Sequence, residues 1–364
     1  MIFCGIGQCW EKMDNGGAST AIRKGESMTI KDIAKECGYG VGTVSRALNN
    51  HPGISDKARQ KIYSVVDKYG FVLNQNAKKL KEHAPRTIAI LVQGAQSILF
   101  NSLLEIIQNK LQNLPYNASV FVLNEYDNGT QAACKIYYEQ KPAGIIFLGG
   151  NPDSSKEEFA GIKVPCVLIA NSPEDKEGTP SKNLSSVSTD DETASYFCTE
   201  YLIKKGHKKI CVIGGELQSS CLSRRRFNGF LRAMNDYSIP FNKESMYIPS
   251  MYSLQGGFDA AGTLLKKCPD ATAVFTMSDV MAMGACRSFM DRGISIPKDI
   301  SITGFDGLSV ASYSCPRITT IRQDCTSLAN EGLTSLLNSI EHGRKPSHKS
   351  VPFQFVEGES VKNI

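Results

Sequence analysis

"GYGVGTVSRALNN", Gly38 to Asn50, sets three glycines within five residues ahead of a helix-like run. Such a run reads either as a phosphate-cradling loop or as the turn of a DNA-reading motif. A nucleotide loop follows a strand and opens a helix, so that its glycines let backbone N–H groups approach the phosphates. Here the preceding segment is "TIKDIAKEC", with Ile30, Ile33, Ala34 and Cys37 at helical spacing on one face. The third glycine of a G-x-G-x-x-G pattern would fall at position 43, which is threonine, and no GK[ST] follows. The surroundings therefore favour a helix-turn-helix.

Outward from the glycines, each residue type has a place in that motif. Thr29 can cap the first helix, and Gly38 can take the positive φ that ends it. Gly40 can cap the second helix. Gly42 is less expected, because glycine inside a helix costs up to about 1 kcal/mol relative to alanine. Val41, Val44 and Leu48 share one side of this second helix. "HPG" then breaks the chain, and Ser55 caps a third helix whose stripe is Ile62, Val65, Val66 and Tyr69. From Met28 to Arg86 there are eleven Lys/Arg against five Asp/Glu, a net +6, whereas residues 87–364 carry 27 against 28. A small basic head on a neutral body suggests a polyanion-binding module.

The body has a different texture. "TIAILV", "ASVFVL", "AGIIFLGG", "VPCVLIA", "KICVIGG", "TAVFTMS" and "ISITGFD" are short apolar runs separated by helical patterns. That alternation predicts parallel sheets covered on both faces. About 280 residues is large for one such core, so two α/β lobes are expected. Ligands in such folds sit beyond the carboxyl ends of the strands, which places a site between the lobes. The fold class expected is thus a small all-α helix-turn-helix head plus an α/β body of two doubly wound lobes.

Composition narrows the functional classes. Hydrophobic content is 41% and charged content 21%, ordinary for a globular protein, with no apolar run of membrane-spanning length. The twelve cysteines form no CxxC pair and no zinc-type cluster, so they read as buried free thiols in a reducing compartment. No metal or cofactor is expected. His51, His83, His207, His342 and His348 form no nucleophile–base pattern, and neither GxSxG nor HExxH occurs, so an enzyme is not expected. His207, in "KKGHKK", reads as a turn residue. Residues 1–27 lack helical or strand period and signal-peptide features. They are expected to be a disordered leader, with translation starting at Met28.

Taken in order, these pieces closely resemble the LacI/GalR-type bacterial repressors. The head carries their TIKDIA opening, TVSRALN recognition helix and N-x-x-A-x-x-L hinge. In the body, "YLIKKGHKKICVIGG", "SRRRFNGF", "SDVMAMGA", "DISITGFDG" and "PRITTIRQD" match further family segments as far as about Val361. The resemblance implies a head over 28–73, a hinge helix and linker over 74–86, and a periplasmic-binding-protein-like body over 87–364. Lobe 1 would take 87–188 and 320–347, and lobe 2 would take 189–319 and 348–364. It also implies a homodimer in the cytoplasm, bound to a palindromic double-stranded DNA operator and controlled by a small-molecule effector, with a sugar as the default. The alternative is a solute-binding sensor without operator function, which would share the body but have a signal peptide and no basic head.

The same resemblance assigns residues. Val41, Gly42 and Arg46 would face base edges in the major groove, with Thr43 and Ser45 at phosphates and Asn49 positioning the head. Asn74, Ala77, Lys78 and Leu80 match the hinge, with Leu80 as a minor-groove wedge. Leu73 stands where the family usually has proline, and Lys78 where it has arginine. Arg226 and Asp306 are expected to reach the effector as a donor fork and an acceptor. Phe100 and Tyr252 would cover its apolar faces, and Ser278 would line the cleft. Asp279 is expected chiefly to cap a helix.

Overall fold

The computed structural model describes residues 29–48, 51, 53–69, 86–94, 97–124, 127–150, 159–173 and 182–364. The leader, Asn49 and the hinge residues Asn74, Ala77, Lys78 and Leu80 lie outside the described residues. The chain divides into two units, Met1–Ala84 and Pro85–Ile364.

The first unit holds helices α1 (Ile30–Cys37), α2 (Val41–Leu48) and α3 (Asp56–Tyr69). Their apolar faces meet in one small core of Ile33, Ala34, Cys37, Val44, Ala47 and Ile62. At the start of α1 the Asp32 carboxylate reaches back to accept from the Thr29 N–H at 2.9 Å and from the Thr29 hydroxyl at 2.6 Å. Gly38 ends α1 at φ 70°, and its N–H donates to the Ala34 carbonyl. The Gly40 carbonyl accepts from the N–H groups of Thr43 and Val44 and so opens α2. Neither Gly40 nor Gly42 is required by packing. A Cβ on Gly40 would meet nothing within 4 Å, and one on Gly42 only Arg46 Nη2 at 3.9 Å. Gly42→Ala is therefore expected to stabilise the head by up to about 1 kcal/mol. Thermal denaturation checks this, and a destabilised variant would contradict it.

The second unit contains two six-stranded sheets. The first is ordered β11 (His348–Val351), β5 (Leu184–Thr189), β4 (Cys166–Ile169), β3 (Gly144–Leu148), β1 (Arg86–Gln93), β2 (Tyr116–Leu123), all parallel. The second is ordered β12 (Phe353–Val356), β10 (Thr319–Gln323), β9 (Ser301–Asp306), β8 (Ala273–Thr276), β6 (Ile210–Gly214), β7 (Tyr247–Pro249), parallel except for β12. All seven apolar runs are strands. Fully buried β5, "LSSVST", escapes a hydropathy reading because four of its six residues carry hydroxyls.

Helices cover both faces of each sheet, as continuous apolar strands require. On the first sheet, α4 (Ile98–Leu111) and α12 (Cys325–His342) bury Leu99, Leu103, Ile107, Leu328 and Leu333 against one face. Helix α5 (Gly129–Gln140) buries Ala133 and Ile136 on the other. The second sheet packs α6 (Asp191–Lys204), α7 (Cys221–Asp236), α9 (Leu254–Lys267) and α10 (Asp279–Asp291) into one core. Two short helices, α8 (Lys243–Met246) and α11 (Ser309–Tyr313), complete the unit's described helices.

Strand pairing shifts two expected lobe boundaries. Strand β10 lies in the second sheet, paired with β9 and β12, so the chain crosses after Gln323 rather than at Thr319. Strand β11 lies in the first sheet beside β5, so the last crossing falls at Pro352 rather than Ser347. Local patterning marks a strand but not the sheet that accepts it. His207 differs too: it is fully buried, with Nδ1 3.1 Å from the Thr272 hydroxyl and Nε2 3.2 Å from the Lys362 carbonyl. It ties the C-terminal tail to the lobe rather than serving only as a turn residue. The ten described cysteines are free, and seven are buried. Burial raises the thiols of Cys198 and Cys286 to about 12, leaving them protonated at neutral pH.

Candidate functional site

In each sheet the strand order reverses beside the first strand of the lobe, between β1 and β3 and between β6 and β8. The carboxyl ends there form the crevice that such sheets use for ligands. A cavity of about 580 Å³ occupies that place between the lobes. Gln93, Asn124 and Asn171 line it from the first lobe, and Glu216, Arg226 and Asp306 from the second. Four helix N-termini also border it, at Ser97, Asn128, Ser220 and Ser253. Each of these four side chains caps its own helix by accepting a backbone N–H.

Arg226 is the centre of the second lobe's share. It is 2% exposed and lies on α7. Its Nε donates to Asp191 Oδ1 at 2.8 Å, its Nη1 donates to the Met277 carbonyl, and its Nη2 lies 3.5 Å from Asp306 Oδ1. The guanidinium carbon sits 3.7 Å from the centre of the Phe305 ring. Gln323 donates through Nε2 to the same Asp306 oxygen at 2.9 Å, and Thr189 at the end of β5 donates to Gln323 Oε1 at 3.0 Å. This buried chain of hydrogen bonds runs from one lobe into the other.

Two further features set Asp306 apart. Its φ is 110°, a conformation L side chains rarely adopt. Burial pushes its carboxyl up to about 6, against the opposing pull of Arg226 and the Gln323 hydrogen bond. Both described contacts fall on Oδ1.

Phe100 and Tyr252 line the cavity from opposite lobes. The Phe100 ring lies over Gly149, where a Cβ would come within 2.5 Å of it. Since Gly149 also has φ 78°, glycine is demanded twice at that position. The Tyr252 hydroxyl is 3.0 Å from the Ser223 hydroxyl, and burial raises its pKa. Ser278 is not among the described lining residues. Its Oγ accepts from the Met281 N–H at 3.2 Å, so it caps α10. Asp279 is therefore not the cap. Its carboxylate accepts from the Leu308 N–H at 2.7 Å and the Thr320 hydroxyl at 2.6 Å, holding the loop after β9 against β10. Burial, then the nearby Asp306 charge, pushes the Asp279 carboxyl well above the usual range.

Sequence reasoning missed Gln93, Asn124, Asp127, Asn171 and Glu216. A signal existed for all but Asp127, because Gln93, Asn124, Asn171 and Glu216 each stand directly at the carboxyl end of an apolar run. Gln93 donates through Nε2 to the Asp127 carbonyl at 3.0 Å. Among the described lining residues, Arg226 is the cation, and Asp127, Glu216 and Asp306 are the carboxylates.

On the head, Val41, Gly42 and Arg46 are exposed along one face of α2, with Thr43 and Ser45 half-buried beside them. Val44 and Ala47 point into the core. Arg46 Nε donates to the Gly42 carbonyl at 3.3 Å, so the side chain folds back along its own helix.

Residues 29–74 match the family described as bacterial regulatory proteins, lacI family, and residues 199–361 match the periplasmic binding protein-like domain. The chain is 32% identical over 342 residues to the HTH-type transcriptional regulator MalR of Clostridium butyricum, covering 93% of this chain and all of that protein. It is 31% identical over 329 residues to the regulator DegA of Bacillus subtilis, covering 89% and 94% of the two chains. The lac repressor dimer bound to operator and an anti-inducer superposes with TM-score 0.68 at 22% identity, over 93% of this chain and all of that one. A CelR–cellobiose complex superposes with TM-score 0.67 at 22% identity, over 92% and 99%. Identity at the level of the MalR match, sustained over almost the whole chain, shows the family: this chain belongs to the lacI family of bacterial regulatory proteins.

Proposed function

We propose that the chain is a homodimeric, cytoplasmic transcriptional repressor whose operator affinity is set by an uncharged sugar bound between the lobes. The observation that carries the effector class is the charge balance of the cavity. Arg226 is already engaged by Asp191 and Asp306, so no free cation among the described lining residues awaits an anion. The positive ends of four helices are offset by Asp127, Glu216 and Asp306. A neutral polyol matches this mixture of donors and acceptors, while Phe100 and Tyr252 offer apolar faces for its ring. The solute-binding alternative does not account for residues 29–74, whose reading helix presents Val41, Gly42 and Arg46 outward. No helix among the described residues is long and apolar enough to cross a membrane.

The test has two arms. Operator selection from random duplexes should return a palindrome whose affinity falls steeply with salt. A thermal-shift panel should show stabilisation by neutral sugars, cellobiose and ribose among them, and none by sugar phosphates. Salt-insensitive duplex binding would remove the repressor reading. A preference for sugar phosphates would remove the charge argument.

A further inference from the structure

Arg225 stands beside the buried Arg226 on α7, but its side chain leaves the second lobe. Its Nη1 donates to Asn171 Oδ1 at 3.1 Å, and its Nη2 donates to the Ser172 and Pro173 carbonyls at 3.1 and 2.7 Å. All three acceptors follow β4 in the first lobe. Asn171 is 4% exposed and lines the cavity. Its Oδ1 also accepts from the Ser172 N–H at 2.8 Å, and its Nδ2 donates to the Gly150 carbonyl at 2.7 Å. The amide is thus held by donors on one side and an acceptor on the other. One guanidinium holds the loop after β4 from the other side of the cleft, and the Asn171 amide links that loop to Gly150 after β3.

We propose that Arg225 is the latch that holds the first lobe closed on the second and positions Asn171 at the cavity, a role that rests on the cavity being the effector site. The planar fork suits this task. Two nitrogens satisfy three oxygens at fixed angles, which a lysine ammonium at the end of a flexible stem does not reproduce. The contacts are charge-assisted and half-buried, so water competes with them weakly. Arg226 and Arg225, adjacent on one helix turn, then divide the work: one organises the second lobe's share of the cavity and the other joins the lobes. A latch that closes after a ligand enters slows release rather than entry.

Arg225→Ala tests this in the full chain with cellobiose as probe. Its dissociation rate should rise about tenfold while its association rate changes less than twofold, within the usual range of site-to-site coupling. Arg225→Lys should recover only part of the slow release. In the ligand-free protein, hydrogen exchange of residues 166–173 should accelerate in Arg225→Ala while strands β6 and β8 keep their protection. An unchanged dissociation rate, or unchanged exchange in 166–173, would overturn the latch. Should the unaltered protein bind no cellobiose, the sugar reading is at fault and the exchange result alone decides the latch.

Discussion

Arg226→Ala is expected to destabilise the body by about 3–5 kcal/mol, the usual effect of stripping one partner from a buried ion pair. In a body of this size that corresponds to a melting temperature lower by roughly 10 °C. The reason is what the substitution leaves behind. Asp191 is 3% exposed and accepts from Arg226, and Asp306 is 8% exposed beside it. Without the guanidinium, two buried carboxylates lose the cation they share, and the Met277 carbonyl loses its donor. Loss of effector response in this variant would therefore report folding as much as binding. Asp306→Asn separates the two. It leaves Arg226 paired with Asp191, keeps an oxygen for Gln323, and removes a charge that burial disfavours.

The pH dependence gives Asp306→Asn a second signature. The Asp306 carboxyl is raised from 3.8 to about 6 in the folded chain. A raised pKa means that the folded state binds the proton more tightly than the unfolded state. Its contribution to stability is full below 3.8 and is lost as pH rises through about 6. Asp306→Asn should keep or raise the melting temperature at neutral pH and flatten this part of the profile. It should also abolish the thermal shift produced by sugar. A variant that melts normally and still responds to sugar would remove Asp306 from the site.

Arg46→Ala is expected to weaken operator binding by about 1–3 kcal/mol and to relax selectivity at one symmetric base position. Arg46 is the long donor-bearing side chain on the exposed face that also presents Val41 and Gly42. It is parked on the Gly42 carbonyl at 3.3 Å, a contact that a guanine edge can replace with two. Arg46→Lys decides what the side chain reads. A fork on guanine is not reproduced by lysine, whereas a phosphate contact largely is. If Lys restores affinity equally for all operator variants, Arg46 touches the backbone, and Arg46→Ala should then lower the salt slope by about one. Since packing asks nothing of Gly42, a Gly42→Ala variant that gains stability and loses operator affinity would tie that glycine to close approach of the groove.

The head was legible because its signals are local. Gly38 at φ 70° and the stripe of Ile33, Ala34 and Cys37 follow from propensity and a period of 3.6 residues. The seven apolar strands were legible for the same reason, since burial on both faces leaves a continuous apolar run. Arg226, Asp306, Phe100 and Tyr252 were accessible through motif resemblance, and all four line one cavity. Ser278 lies outside the described lining residues and caps α10; a serine ahead of a helix reads equally as a cap and as a ligand contact, and its hydrogen bond to the Met281 N–H shows the cap.

Local pattern thus suffices for the helices of the head, seven of the body's twelve described strands and the family resemblance. Long-range packing sets the rest: which sheet takes β10 and β11, why Asp279 is buried, and how Arg225 reaches Asn171. Each of these depends on partners far apart in the chain. Local periodicity records whether a residue is buried, but hydrogen bonds and charge pairs across a cleft are set by the packing of elements that no short window contains.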